Sequence, residues 1–86
     1  MSPEPPSWFK QRQCKIEPAG DGVVKASGPI LPDAFLSVRP GPGGGWLASV
    51  RLKADGPDVV ATREEAATLR AAWDAAFELY RNQVIV

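Results

Sequence analysis

The sequence contains no histidine and only one cysteine, Cys14. Without histidine, a Ser-His-Asp or Cys-His nucleophile system is impossible, and the commonest metal ligand is missing. One cysteine allows neither an internal disulfide nor a cysteine-based metal site. We therefore expect a non-enzymatic protein with no catalytic residue, metal or cofactor, in which Cys14 is a buried structural residue.

Long apolar runs are also missing. No stretch approaches the roughly 20 apolar residues that a membrane-spanning helix needs, and the N-terminal residues lack the apolar segment of a signal peptide. A lone thiol suits a reducing compartment. These features predict a cytoplasmic protein that does not enter a membrane.

The formal net charge is zero, but the charge is unevenly distributed. Residues 1–53 hold seven basic and four acidic residues, a net charge of +3, and residues 54–86 hold three basic and six acidic residues, a net charge of −3. Such an asymmetry can mark an anionic partner for the N-terminal part.

The clearest periodic pattern lies in residues 62–82. Thr62 and Glu65 have the spacing of a capping box, which predicts that a helix starts at residue 62. An apolar stripe on one side of this helix includes Trp73, Phe77 and Tyr80, which we interpret as core residues. Because the chain offers no second helix, the stripe is expected to pack on a sheet.

Alternating apolar and polar residues predict that sheet. We expect four strands, or five if the last one pairs, at residues 8–17, 23–27, 34–39, 46–53 and 59–61. The alternation in the first segment is imperfect, so that strand either begins near Gln11 or contains a bulge that resets its register. The glycine-rich residues 41–45 lead into a strand and not into a helix, so they indicate a flexible hairpin tip and not a phosphate-binding loop.

The predicted fold class is α+β: a four- to five-stranded, mainly antiparallel β-meander with one C-terminal amphipathic helix packed on one face. We expect a disordered tail at residues 1–7, a single α+β domain at 8–82, and a C-terminal tail or edge strand at 83–86. The predicted core comprises Cys14, Ile16, Val24, Leu36, Val38, Trp46, Val50, Leu52, Leu69, Trp73, Ala76, Phe77 and Tyr80.

Two kinds of binding are compatible with these patterns. The first is recognition of another protein, or of a second copy, through a sheet edge, the proline-containing loop 28–33, or the C-terminal residues Val84, Ile85 and Val86. The second is weak nucleic-acid binding by the sheet face away from the helix. That face would carry Lys15, Lys25, Arg39, Arg51 and Lys53, and Phe9 and Phe35 could stack on bases there. An ordinary solvated face is the alternative interpretation of the same lysines and arginines.

A glycine turn followed by the strand at 46–52, and then the segment at 62–67 leading into a helix, resembles the AP2-like DNA-binding domains of phage integrases. That resemblance implies a sheet that enters the major groove of DNA. The order of four strands followed by one helix is also similar to single-strand-binding transcriptional coactivators. Both are similarities in the order of elements.

Overall fold

The computed structural model describes residues 3–29, 33–53 and 55–84. It contains a five-stranded antiparallel sheet in which the strands neighbour one another in chain order, together with two helices. The elements are α1 (Ser7–Gln11), β1 (Lys15–Gly20), β2 (Val23–Ser27), β3 (Ala34–Pro40), β4 (Trp46–Arg51), β5 (Asp58–Ala61) and α2 (Leu69–Val84). The predicted α+β fold is confirmed, with one long helix packed on a meander. No helix of the described ranges is long and apolar enough to cross a membrane.

The sheet has one buried face because its apolar residues keep the two-residue period of a strand. Leu36 lies in the middle strand and pairs with Val24 on one side and Val50 on the other. All three side chains are buried, and Ala76 and Phe77 of α2 belong to the same core. The residues between them in sequence therefore point to the other face of the sheet.

The N-terminal segment differs from the prediction. A strand at 8–17 is wrong, because residues Ser7–Gln11 form the short helix α1 and β1 begins only at Lys15. Phe9 is fully buried, with its ring centroid 5.2 Å from that of Phe77 and 6.0 Å from that of Tyr80. Gln13 has a φ of 59°, and this left-handed residue turns the chain from α1 into β1. The burial of the Phe9 ring against α2 therefore favours a helix over a strand in this segment.

The long helix begins later than predicted. It starts at Leu69, where the Thr68 hydroxyl accepts the backbone N–H of Ala71 at 3.1 Å. Thr62 is instead bound to β4: its hydroxyl accepts the N–H of Ala48 at 3.0 Å. The prediction of a capping box at Thr62 and Glu65 is therefore wrong. Residues 62–66 run alongside β4, and backbone groups of this segment form hydrogen bonds with the β4 backbone.

The end of α2 also extends past the predicted boundary. Gln83 and Val84 belong to the helix, and Ile85 and Val86 lie outside the described residues. Ser7, the last residue of the predicted tail, is instead the first residue of α1.

Most of the predicted core is buried, including Cys14, Trp73, Phe77 and Tyr80. The prediction that Leu52 and Leu69 are core residues was wrong: they are 45% and 43% exposed. Leu52 follows the last residue of β4, and Leu69 is the first residue of α2. Ile16 and Trp46 are only partly buried and pack against the core. The buried apolar residues that the prediction missed among the described residues are Phe9, Ala26, Ala34, Ala48 and Ala72.

Candidate binding face

The face of the sheet opposite α2 carries one continuous row of side chains, one from each strand. The cross-strand pairs are Glu17 with Lys25, Lys25 with Phe35, Phe35 with Arg51, and Arg51 with Asp58. The row therefore reads acid, base, phenylalanine, base, acid across the five strands. We call the surface around this row the open face.

The register brings most of the predicted basic residues to this face. Lys15 pairs with Ser27 at one corner, and Arg39 pairs with Leu47 at another. Lys25 and Arg51 belong to the central row. Lys53 follows the end of β4 in an exposed turn, outside the paired positions.

The two phenylalanines predicted to stack on bases are separated by the structure. Phe35 is partly exposed at the centre of the open face, because it alternates with the buried Ala34 and Leu36. Phe9 is fully buried against α2, so its predicted place near the basic face is wrong. One aromatic ring remains available to a ligand on this surface.

Acidic groups offset much of the positive charge. The ammonium of Lys25 lies 3.5 Å from the carboxylate of Asp33, and the guanidinium of Arg39 lies 3.8 Å from that of Asp58. Most of these side chains are more than a third exposed, so each ion pair contributes about 0–1 kcal/mol and can be exchanged for a partner's charge. The open face carries both signs and is not strongly basic.

Beside Phe35 the face contains a partly buried polar centre. The hydroxyls of Ser37 and Ser49 lie 2.7 Å apart, and Ser49 is only 4% exposed. The Nε atom of Arg51 is buried and has no hydrogen-bond partner among the described residues. A buried donor without a partner costs free energy, and an acceptor supplied by a ligand would recover it.

The edges of the sheet are less suited to binding. β1 contains Pro18, which has no N–H to donate, and its pairing with β2 is irregular between Pro18 and Gly20. β5 has only four residues, and its register shifts opposite Arg51. Short strands, prolines and bulges are the features by which proteins discourage edge pairing. Residues 30–32 of the proline-containing loop lie outside the described residues.

The glycine-rich loop between β3 and β4 does bind an anion, but the anion belongs to the chain. The N–H groups of Gly43 and Gly45 each donate to the Glu65 carboxylate at 2.8 Å. The loop closes on itself through the Gly41 N–H, which donates to the Gly45 carbonyl at 2.8 Å. The predicted hairpin is thus present, and its donors hold an internal carboxylate.

The chemistry of the described residues is limited. Burial raises the pKa of the Cys14 thiol, and the smaller opposing effect comes from Arg12, so the thiol stays protonated and is a weak nucleophile at neutral pH. Within residues 3–29, 33–53 and 55–84, no three acidic or cysteine side chains are grouped so as to hold a metal ion.

Comparison with protein-family models, curated proteins and solved structures finds no match for this chain. The resemblance to integrase domains and to single-strand-binding coactivators remains one of element order. The function must therefore be inferred from the geometry of the open face itself.

Proposed function

We propose that this protein is a non-enzymatic binding module that recognises another protein through the open face. The observation that carries the proposal is the central row, in which Phe35 is flanked by Lys25 and Arg51 and the two ends are acidic. An aromatic centre with a charged rim is the usual composition of a protein-binding surface. Phenylalanine and arginine are also residue types that are enriched at such surfaces.

The order of charges selects the chemistry of the partner. Both neighbours of Phe35 are basic, so the matching segment carries an apolar side chain flanked by carboxylates. The buried Nε of Arg51 would gain its missing acceptor from such a carboxylate. The exposed ion pairs of Lys25 and Arg39 offer little resistance to exchange.

The order of charges along the central row also disfavours a second copy of this chain as the partner. Two simple ways of stacking two open faces have a two-fold axis through Phe35 that runs along the strands or across them. In the first arrangement Lys25 would face Arg51 and Glu17 would face Asp58; in the second, each residue would face itself. Both arrangements oppose like charges, which disfavours association.

Nucleic-acid binding by the open face is the second candidate, because four of the five predicted basic residues share it. A phosphate backbone crossing the sheet would, however, meet Glu17 at one edge and Asp58 at the other. Only Phe35 is placed for base stacking. These features support a protein partner over a nucleic acid.

We also propose that the protein acts in a reducing compartment such as the cytoplasm. The support is Cys14, a single free cysteine without a disulfide partner.

A peptide titration tests the main proposal. One synthetic peptide carries a phenylalanine between pairs of aspartates, and its control replaces the aspartates with lysines. Binding is followed by the amide NMR signals of Phe35 and Arg51 at low salt. We expect saturable shifts with the acidic peptide only. They should weaken about threefold or more in Arg51→Ala and persist in the charge-matched control Arg63→Ala.

A second pair of variants tests the aromatic centre. Phe35→Ala should reduce binding of the acidic peptide, whereas Leu52→Ala, another exposed apolar truncation, should not. Equal binding by both variants would contradict the proposed site. Titration with labelled single- and double-stranded DNA and RNA at about 50 and about 200 mM salt completes the comparison. Salt-sensitive nucleic-acid binding that Arg51→Ala abolishes would put the second candidate first.

A further inference from the structure

A groove lies on the opposite side of the sheet, where α2 leaves the sheet uncovered. It has a volume of about 370 Å³ and is lined by Asp21, Gly22, Val38, Pro40, Trp46, Leu69 and Trp73. One of the lining residues, Leu69, is the first residue of α2. Leu69 is 43% exposed, so this apolar lining is accessible from solvent.

The backbone at Trp46, which forms one wall of the groove, is held by hydrogen bonds to Ala66. The Trp46 N–H donates to the Ala66 carbonyl at 2.9 Å, and the Ala66 N–H donates to the Trp46 carbonyl at 2.7 Å. Next to it, the Gly45 N–H donates to Glu65 at 2.8 Å. The backbone that carries this indole is thus fixed by paired hydrogen bonds before any ligand arrives.

The opposite wall is equally fixed, by the hairpin tip between β1 and β2. Gly22 has a φ of 69°, and its carbonyl accepts the Val38 N–H at 2.8 Å. A Cβ on Gly22 would lie 2.6 Å from the Val38 carbonyl oxygen, so the two backbones meet at contact distance. A groove between two fixed walls costs little conformational entropy on binding.

A second, smaller pocket of about 170 Å³ adjoins the groove and shares Asp21, Gly22 and Trp73 with it. Pro18 and Val24 contribute to its other side. The surface therefore offers two neighbouring concave sites with an exposed carboxylate, Asp21, common to both.

We propose that this groove binds an extended, proline-containing peptide segment that carries a basic residue. A polyproline II helix repeats every three residues and presents its prolines as preformed apolar ridges, which dock in aromatic-lined grooves. Two prolines three positions apart would occupy the two adjoining pockets. The indole N–H groups of Trp46 and Trp73 are of the type that bonds the backbone carbonyls of such a segment.

Asp21 determines the charge of the ligand. It lines both pockets, and the remaining lining of the groove is uncharged, so the only formal charge on its walls among the described residues is negative. An arginine or lysine beside the prolines complements it, and an acidic ligand is disfavoured. This ligand is opposite in charge to the acidic segment proposed for the open face, so the two sites can be tested separately.

The test is a titration with a synthetic ten-residue peptide containing two prolines three positions apart and one arginine. A control peptide has glutamate in place of arginine. We expect saturable shifts of the indole N–H signals of Trp46 and Trp73 with the arginine peptide, and no saturation with the control. The amide signal of Phe35 should not move.

Matched variants complete the test. Leu69→Gln should weaken binding about tenfold or more, whereas Leu52→Gln, at a nearly identical exposure but away from the groove, should not. Asp21→Asn should weaken binding about threefold, and the control Asp55→Asn should leave it unchanged. No saturable shift at either indole, or equal affinity of Leu69→Gln and Leu52→Gln, would overturn the proposal. Because these readouts do not involve the open face, failure here leaves the proposed function intact.

Discussion

The carboxylate of Glu65 accepts the backbone N–H of Gly45 at 2.8 Å, across twenty positions of sequence. Its other oxygen accepts the N–H of Gly43 at the same distance. These bonds attach the segment before α2 to the β3–β4 hairpin, and they satisfy loop donors that would otherwise need water. The contact therefore links the loop to the start of the long helix.

Glu65→Ala should lower the free energy of unfolding by about 1–3 kcal/mol, because hydrogen bonds to a charged group are stronger than neutral ones. Urea denaturation measures the difference. Glu64→Ala is the matched control, since Glu64 is exposed, and it should stay within about 0.5 kcal/mol of wild type. Equal effects of the two substitutions would show that the carboxylate does not hold the loop in solution.

Gly22→Ala should destabilise the protein more than Gly44→Ala. Both glycines have positive φ values, 69° and 91°, so both substitutions introduce backbone strain. Only at Gly22 would the new Cβ also meet backbone, 2.6 Å from the Val38 carbonyl oxygen; at Gly44 nothing lies within 4 Å. Thermal unfolding of the two variants isolates the steric part. A larger loss at Gly44 would contradict the close contact between the hairpin tip and β3.

Phe9→Ala should cost about 3–5 kcal/mol, the range for removing a fully buried aromatic ring. The residue lies in a five-residue helix that sequence patterns did not predict, so the result tests whether α1 belongs to the core. Phe35→Ala provides the comparison, because Phe35 is partly exposed and loses much less burial. Chemical denaturation of both variants should rank Phe9 well above Phe35. Similar losses would contradict the packing of α1 on α2.

Tyr80→Phe should leave stability unchanged or raise it by about 1 kcal/mol at neutral pH. The Tyr80 hydroxyl is buried without a hydrogen-bond partner among the described residues. Removing it therefore removes the free-energy cost of burying an unpaired polar group. A clear loss of stability at neutral pH would reveal a bonding partner for the hydroxyl.

The same residue predicts a pH dependence. Burial, with smaller effects of Cys14 and Asp33, raises the pKa of Tyr80 from 10.0 to about 12. The folded protein therefore holds this proton more tightly than the unfolded chain, and the resulting stability is fully present below pH 10. It should be lost as the pH rises from about 10 to about 12. Subtracting the Tyr80→Phe profile from that of wild type should isolate this loss, and identical alkaline profiles would contradict it.

Much of the open face could be predicted from the sequence. Strand residues alternate between faces, so Lys25, Arg39 and Arg51 were correctly grouped opposite the buried Leu36 and Val50. The neutralising effect of Asp58 could not be predicted, because it depends on the bulged register between β4 and β5. The groove could not be predicted either, since Asp21, Trp46 and Leu69 are far apart in the chain and come together only in the folded structure.

Local periodicity by itself determined the α+β class, the inner and outer faces of β2 to β4, and the apolar stripe of α2. These features depend on neighbouring residues and on the burial of apolar side chains, and both can be read along the chain. Tertiary structure alone decided which groups Thr62 and Glu65 bond to. Their capping spacing was sound, but the edge of β4 and the glycine loop offered backbone groups that also needed partners. Those groups lie up to 22 positions away, and satisfying them moved the start of the helix to Leu69.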